Sequence, residues 1–283
     1  MTIETAVVDH TPRPKWSIIT VTYNSSPKLK RYWRSAVPAD VEWIVVDNAS
    51  TDETVSTALQ LGASVLTLEA NVGFSAANNI GLKAARGNYI AFVNPDASVA
   101  YESLDEIARV VDTTGGLVAP QLVNDDGTLQ PNGRGIPRVI SKINNRIRFS
   151  EKLKREYTIY ADPGEIKNVF WITGAVVCST RVNFEDLGGW NEDYFLYFED
   201  VDLCCRAHIK GMPVLVYGDV KWTHGWARDN ASFKLSPWVH ELKSAVKFYR
   251  KYPGLTNGLF VSASRFSDVH ANSSALWTRS HSG

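Results

Sequence analysis

The chain has 283 residues, and its 30 Lys and Arg residues balance its 30 Asp and Glu residues, so the formal net charge is zero. This length allows one α/β domain with a sizeable core, or two small domains. The balanced charge argues against nucleic-acid binding, which usually needs a basic excess. The first residues lack the apolar segment of a signal peptide, and no apolar run reaches the length of a membrane span.

The cysteines and the chain ends bear on location and order. Cys178, Cys204 and Cys205 form neither an even set nor a Cys-x-x-Cys spacing, which argues against a disulfide framework and a zinc site. We therefore expect a reducing compartment, the cytoplasm, with peripheral contact at the inner face of the cell membrane as an alternative. Residues 1–14 and 261–283 are polar, and we expect a flexible N-terminus and a disordered tail.

Alternating strand and helix patterns fill the first half of the chain. Apolar, β-branched runs predict four strands, at 16–23, 42–47, 64–68 and 89–94. Such continuous runs are typical of parallel strands that helices cover on both faces. Helical patterns at 52–61 and 74–85 lie between them, and Ser50 with Glu53 predicts a capping box for the first. The alternation predicts a Rossmann-like, mostly parallel sheet, whose ligands bind beyond the carboxyl ends of the strands.

The second half is less regular and predicts a mixed arrangement. An apolar run covers 169–179, a helical pattern begins at Glu199, and strand-like segments cover 213–218 and 219–224. We therefore expect the sheet to continue with strands of both directions.

Basic residues are concentrated in two segments of this second half. The stretch 134–155 carries eight Lys and Arg residues against Glu151 alone. We predict a solvated face there, with contact to a diphosphate or to an anionic lipid as alternatives. The segment 236–254 predicts an amphipathic helix, which either packs on the domain or rests on a membrane surface.

Polar clusters follow the predicted strands. They are Thr22-Tyr23-Asn24, the segment 47–52, Asn94-Pro95-Asp96, Glu199-Asp200-Val201-Asp202, and His224. Because the carboxyl ends of parallel strands meet at one edge of a sheet, these clusters predict a single site at that edge.

The motifs occur in a family order. They read SIITVTYN, IVVDNASTD, NVGFSAANNIGLKAARGNYIAFVNPDA, FWITGAVVCSTR, GGWNEDYFLYFEDVDLCCRA and TH. In this order they resemble the family 2 inverting glycosyltransferases of the GT-A fold, over about residues 16–253. The combination of NPDA with FEDVDLCCR is most similar to the rhamnosyltransferase branch, whose members use dTDP-L-rhamnose. The resemblance implies one domain over 15–260, with a nucleotide-sugar-binding half at 15–125 and an acceptor-binding half at 126–260.

The resemblance implies a donor site and a divalent cation, Mg²⁺ or Mn²⁺. Asp96 and His224 would hold the cation, and Asn94 replaces the first acid of the usual Asp-x-Asp, which leaves open whether Asn94 touches it. Asp47 would accept a hydrogen bond from the base N–H, with a turn-stabilising role as the alternative. Asn78 would lie near ribose or diphosphate. The full set of implied donor-binding residues is Thr22, Tyr23, Asn24, Asp47, Asn48, Gly73, Asn78, Asn94 and Asp96.

The resemblance also implies the catalytic and acceptor-side residues. Asp200 would take the proton of the acceptor hydroxyl as general base. Asp202 would orient its neighbours or pair with Arg206 four residues later. The implied acceptor-binding residues are Trp171, Gly174, Trp190 and Glu199.

Other classes fit the sequence less well. The first strand is followed neither by G-x-G-x-x-G nor by a P-loop, which argues against a dehydrogenase and an NTPase. The Gly-rich basic loop of a nucleotide-sugar pyrophosphorylase is also missing. We predict a metal-dependent inverting transferase that moves a sugar, first of all L-rhamnose, to a saccharide or a lipid-linked saccharide. A UDP-sugar-dependent transferase, a non-catalytic carbohydrate-binding protein and a homodimer stay open as alternatives.

Overall fold

The structure is a computed structural model, and it describes residues 13–137, 152, 157–225 and 235–255, with side chains in the last range from 241 onward. The predicted disordered tail at 261–283 lies outside the described residues, as does nearly all of the predicted flexible N-terminus at 1–14. Most of the basic stretch 134–155 lies outside them as well.

The first half of the chain forms the predicted parallel sheet. The strands are β1 (Trp16–Thr22), β2 (Val41–Asp47), β3 (Ser64–Thr67) and β4 (Tyr89–Val93), and the helices between them are α1 (Ser26–Tyr32), α2 (Thr54–Gln60) and α3 (Phe74–Ala84). The four strands pair in parallel in the order β3-β2-β1-β4.

The second half adds strands of both directions. The strands are β5 (Ala97–Ser98), β6 (Leu117–Val123), β7 (Gly133–Arg134), β8 (Thr158–Ile159), β9 (Ile166–Asn168), β10 (Trp171–Ile172), β11 (Val176–Thr180) and β12 (Val214–His224). The helices are α4 (Leu104–Thr114), α5 (Arg181–Leu187), α6 (Glu199–Ile209) and α7 (Leu235–Lys251). Within the described ranges, none of the helices combines the length and apolarity that crossing a bilayer requires.

The strands of both halves join in one mixed sheet. Its order is β3-β2-β1-β4-β11-β6-β12-β5, with β9 also paired to β12, and β10-β7-β8 form a small separate sheet. Strand β11 runs antiparallel between β4 and β6, whereas β12 runs parallel to β6. The predicted fold, a Rossmann-like sheet flanked by helices with a mixed second half, is therefore confirmed.

Apolar side chains cover both faces of the sheet. Neighbouring residues of β1, Ile18 and Ile19, belong to two different buried clusters, and so do Ala91 and Phe92 of β4. Helices α3 and α6 supply side chains to one cluster, and α1, α2 and α4 to the other. Burial on both faces explains why these strands have continuous apolar runs.

Two local predictions were wrong, and a third was right except for a break between two strands. Ser50 does not cap α2, since its Oγ accepts a hydrogen bond from Asn24 N at 2.8 Å, and the helix begins after Glu53 without a side-chain cap. The segments 213–218 and 219–224 are strand, as predicted, but they form the single strand β12, whose pairing with β6 shifts register between Tyr217 and Lys221. Arg134 is not on a solvated face, because it is only 6% exposed.

A buried carboxylate fastens α6 to the end of α7. Asp202 is fully buried and accepts hydrogen bonds from Arg206 Nε at 2.8 Å, Lys251 Nζ at 2.7 Å and the Tyr252 hydroxyl at 3.0 Å. The predicted pair with Arg206 is thus present. These contacts fix the helix that carries Asp200.

We predict that Asp202→Ala lowers the free energy of unfolding by about 3 kcal/mol, because it leaves the largely buried guanidinium of Arg206 without its carboxylate. The value lies at the lower end of the range for buried pairs, since Lys251 reaches solvent. Asp186→Ala is the matched control, because its ion pair with Lys210 is exposed, and it should cost less than about 1 kcal/mol. Urea unfolding of both variants measures the difference, and equal losses would contradict the assigned role of Asp202.

Candidate active site

The turns after β1 and β2 interlock at the carboxyl edge of the sheet. Asn24 adopts a left-handed φ of 49°, and its Oδ1 accepts a hydrogen bond from Thr51 N at 2.8 Å. Its own N–H donates to Ser50 Oγ. Next to it, the side chain of Tyr23 is 53% exposed at the edge. The two turns therefore form one connected rim.

Asp47 lies beneath this rim and is almost fully buried. Its carboxylate accepts hydrogen bonds from the Thr22 hydroxyl at 3.0 Å and from Ser50 N at 2.9 Å. The contact with Ser50 N, three residues later, matches the turn-stabilising alternative, and the contact with Thr22 joins Asp47 to β1. Recognition of a nucleotide base by Asp47 stays a prediction.

Asn48 and Gly73 build the adjoining loop. Buried Asn48 accepts a hydrogen bond from Val72 N at 2.8 Å and donates to Asn71 Oδ1 at 2.9 Å. Gly73 has φ 89°, and a Cβ there would lie 2.8 Å from the backbone oxygen of Phe195. That same oxygen accepts a hydrogen bond from Phe74 N at 2.9 Å, so a close backbone approach requires glycine at this position.

The structure does not bring Asn78 to the surface of the rim. Its side chain is 1% exposed and donates to the Phe74 carbonyl, one turn earlier in α3, at 3.1 Å. Contact of Asn78 with ribose or diphosphate stays a prediction.

Asp96 lies just beyond β4, with the ammonium of Lys28 and the imidazole of His224 beside it. Lys28 Nζ is 2.8 Å from Oδ2, and His224 Nε2 is 3.4 Å from Oδ1. Burial acts to raise the pKa of the Asp96 carboxyl, but the hydrogen bond from His224 and the charge of Lys28 outweigh it and bring that pKa to about 2. The carboxylate is therefore ionised throughout the physiological range.

Strand pairing sets the distance between His224 and Asp96. His224 ends β12 opposite Ala97 of β5, and Gly225 N donates to the Asp96 carbonyl at 2.8 Å. The sequence positions are far apart, but the backbone ladder holds the carboxylate and imidazole side by side.

A carboxylate oxygen and an imidazole nitrogen suit a divalent cation such as Mn²⁺. The described part of the chain contains no group of three or more His, Cys, Asp and Glu residues around one point. The remaining ligands would have to come from a bound diphosphate and water, as is usual for Mg²⁺ at phosphate sites. Asn94 is anchored by its backbone, which donates to the Ala175 carbonyl at 2.9 Å.

Asp200 reaches the same rim from α6. Its Oδ2 accepts a hydrogen bond from Gly174 N at 3.1 Å, and Gly174 directly precedes the Ala175 that bonds Asn94. A single residue, Pro95, separates Asn94 from Asp96. The structure thus brings Asp200 and Asp96 to the carboxyl end of β4.

An unusual turn presents Asp200. Tyr197 and Phe198 both have positive φ, 69° and 68°, which is uncommon for large side chains. Such strain persists only where the surroundings enforce it, and it is concentrated at functional sites. Glu199, the first residue of α6, is buried.

The predicted acceptor-side tryptophans lie inside the fold. Trp190 is almost fully buried and makes edge-to-face contacts with Phe74 and Phe92, with ring centroids 5.4 Å and 5.2 Å apart. Trp171 is also buried. Trp190 therefore has no exposed ring face on which a sugar could stack. The two tryptophans shape the site through packing, and their direct contact with an acceptor stays a prediction.

Two basic residues, Lys28 and Arg134, join the site, and Arg134 belongs to the basic stretch for which contact with a diphosphate was the alternative. Lys28 looks like any surface lysine, and no local pattern distinguishes it. Arg134 lies on β7 with its guanidinium 6.0 Å from the Tyr157 ring. Burial lowers the pKa of Arg134, while the nearby charge of Asp200 acts in the opposite direction. The turn residues Asp126-Gly127 signal the chain reversal that leads toward Arg134.

Residues 17–165, more than half of the chain, match the profile of glycosyl transferase family 2. The chain belongs to this family and is a glycosyltransferase. It is 28% identical over 209 residues to the N-acetylglucosaminyl-diphospho-decaprenol L-rhamnosyltransferase of Mycobacterium tuberculosis, covering 66% of this chain and 68% of that protein. It is 24% identical to the rhamnosyltransferase WbbL of Escherichia coli, covering 66% and 74% of the two chains.

A third relative has a broader name. The chain is 25% identical to the low-salt glycan biosynthesis hexosyltransferase Agl10 of Haloferax volcanii, covering 83% of this chain and 75% of that protein. These relatives agree on glycosyl transfer but differ in the sugar that their names specify.

Solved structures share the fold. The mannosyltransferase PcManGT of Pyrobaculum calidifontis, in complex with GDP-Man and Mn²⁺, matches with a TM-score of 0.57 and 19% identity over 96% of this chain and 77% of that one. Residues 1–349 of Staphylococcus aureus TarS match with a TM-score of 0.54 and 20% identity over 75% of this chain. The match spans 60% of that TarS chain. At these identities the likeness supports the GT-A fold alone.

We predict that Gly73→Ala destabilises the protein more than Gly62→Ala does. Both glycines have nearly the same φ, 89° and 91°, but a Cβ at Gly62 would meet nothing within 4 Å. The conformational cost, about 1–2 kcal/mol, is thus common to both. Overlap with the Phe195 backbone should add about 1–3 kcal/mol to the Gly73 variant. Urea unfolding compares the two variants, and an equal loss would mean that the approach of Phe195 does not constrain residue 73.

Proposed function

We propose that this glycosyltransferase moves L-rhamnose from dTDP-L-rhamnose, with inversion and with help from Mg²⁺ or Mn²⁺, to a hydroxyl of a saccharide or lipid-linked saccharide. The observation that carries the proposal is that Asp96, His224 and Asp200 lie together at the carboxyl end of β4. The choice of rhamnose draws on the two rhamnosyltransferase relatives.

The donor lies over the rim formed by the turns after β1, β2 and β4. Asp96 and His224 hold the cation, and Lys28, whose ammonium contacts Asp96, lies within reach of the diphosphate. A bound Mg²⁺ or Mn²⁺ supplies positive charge that offsets the charge developing on the departing diphosphate.

Asp200 performs the proton transfer. Its carboxylate accepts the proton of the acceptor hydroxyl while that oxygen forms a bond to the anomeric carbon. The bond from the anomeric carbon to the diphosphate breaks, and its electron pair leaves with the nucleotide. Gly174 N holds one carboxylate oxygen and Val201 N the other, at 3.1 Å and 2.8 Å, which fixes the base before the acceptor arrives. A protein acid for the leaving group, which glycosidases require, is not needed.

We predict that Asp200→Asn lowers kcat by about 10²–10⁴-fold, because the amide cannot accept the proton. Donor affinity should be unchanged, since the substitution preserves shape. The assay follows dTDP release from dTDP-L-rhamnose with Mn²⁺ and a short-chain N-acetylglucosaminyl-diphospho-polyprenol, and calorimetry measures donor binding. Asp186→Asn, an exposed carboxylate on α5, is the control and should leave kcat unchanged. Near-normal turnover of the Asp200 variant would refute the base assignment.

We predict that Asp96→Ala removes metal-dependent donor binding. Donor with Mn²⁺ at 100 times its Kd should raise the free energy of unfolding of the unsubstituted protein by about 2.7 kcal/mol. EDTA should abolish most of this gain because it removes the cation. The Asp96 substitution should do the same because it removes the carboxylate that holds the cation. Thermal unfolding with and without Mn²⁺ measures the gain. An undiminished gain in the variant would exclude Asp96 as a metal ligand.

The same thermal measurement distinguishes the donors. Stabilisation by dTDP-L-rhamnose that exceeds stabilisation by UDP-glucose, UDP-galactose and UDP-N-acetylglucosamine supports the rhamnosyl proposal. The reverse order favours the UDP-sugar alternative, with which the hexosyltransferase relative is compatible.

A further inference from the structure

Gln130 contacts the ring nitrogen of His224 that faces away from Asp96. His224 Nδ1 lies 2.9 Å from Gln130 Oε1, whereas His224 Nε2 faces Asp96. Gln130 is 3% exposed, so water does not compete for this contact.

The orientation of the Gln130 amide is fixed by acceptors on its other side. Its Nε2 donates to the backbone carbonyl of His224 and, at 2.7 Å, to Asn124 Oδ1. A carbonyl oxygen can only accept, so the amide group beside it has to be the NH₂. The atom beside Nδ1 is therefore the amide oxygen, which can only accept as well.

It follows that Gln130 can only accept from Nδ1, so His224 keeps a proton there whenever Nε2 gives up its own proton to bind a cation. The lone pair is then on Nε2, the nitrogen that points to Asp96. A metal-bound histidine almost always donates its second N–H to an acceptor of this kind, which fixes both tautomer and ring orientation.

We infer that Gln130 is a positioning residue of the cation site, one that selects the Nδ1–H tautomer of His224 and so aims a lone pair at the cation held by Asp96. The backbone of Gln130 makes this support rigid, because its N–H donates to the Leu122 carbonyl at 2.8 Å and its carbonyl accepts from Gln121 Nε2 at 2.7 Å. Gln130 thereby links β6 to the end of β12. The inference rests on the proposed metal dependence.

Two variants of Gln130 and one control separate this role from simple packing. Gln130→Met removes the acceptor and the donor, whereas Gln130→Glu keeps an oxygen opposite Nδ1 in either protonation state and alters only the donor side. Asn132→Leu is the matched control, since Asn132 is also a buried amide, with side-chain hydrogen bonds to Leu122 N and the Pro120 carbonyl, but its side chain bonds neither His224 nor Gln130.

The full chain is titrated with Mn²⁺ in the presence of dTDP, and electron paramagnetic resonance counts the free ion. We expect Gln130→Met to weaken Mn²⁺ binding about 10–100-fold, the usual effect of losing such a partner. Gln130→Glu and Asn132→Leu should bind Mn²⁺ like the unsubstituted protein, even where thermal unfolding shows lower stability. Unchanged binding by Gln130→Met, or an equal loss in Asn132→Leu, overturns the inference.

The tautomer is also observed directly, without metal, in the Asp96→Ala variant, where Nε2 no longer faces a carboxylate. Long-range ¹H–¹⁵N spectra of this variant, labelled at histidine and recorded at a pH where the rings are neutral, should show the Nδ1–H form for His224, assigned by adding His224→Asn. The Nε2–H form would overturn the inference even if metal binding behaves as expected. If the unsubstituted protein binds no Mn²⁺ while the Nδ1–H form is found, the proposed metal dependence fails and the role of Gln130 in orienting His224 stands. If Gln130→Met does not fold, this spectrum and the Gln130→Glu titration decide.

Discussion

The antiparallel pairing of β4 with β11 is the constraint on which the rest of the site depends. It places Ala175 opposite Asn94, so that the segment leading to Asp96 and the segment that binds Asp200 become neighbours. Without this pairing, residues about a hundred positions apart in sequence would have no common edge. The pairing is held by backbone hydrogen bonds between buried strands, which makes the juxtaposition insensitive to the identity of the surface side chains.

A second strand completes the arrangement from the other side of the sheet. Strand β12 runs past β6 and ends against β5, the two-residue strand that directly follows Asp96. His224 therefore arrives beside the carboxylate through main-chain geometry, and Gln130 adds a side-chain constraint on the ring. Buried Asp202 fixes α6 independently, by joining it to Lys251 and Tyr252. Rigid elements thus position each of the predicted reactive groups.

The local patterns of the sequence were sufficient for the parallel strands and for α3 and α6, because burial on both faces leaves continuous apolar runs. The same patterns also predicted polar groups at the strand ends. The position of β11 between β4 and β6 could not be predicted from local patterns, since sheet order depends on pairing between distant segments. Ser50 was assigned as a cap because its competing partner, Asn24 N, lies in another turn. Lys28 and Gln130 act through tertiary contacts and leave no periodic signal.

The ammonium of Lys28 gives the rim a counterion of its own. It already neutralises Asp96 in the protein alone. Under the proposed metal dependence, a metal ion that binds Asp96 would exchange one positive charge for another and would have to move the lysine aside. Discrimination among cations would then include the free energy of that exchange, in addition to ligand preference. A displaced Lys28 would remain beside the diphosphate of the proposed donor, where its charge would be useful again.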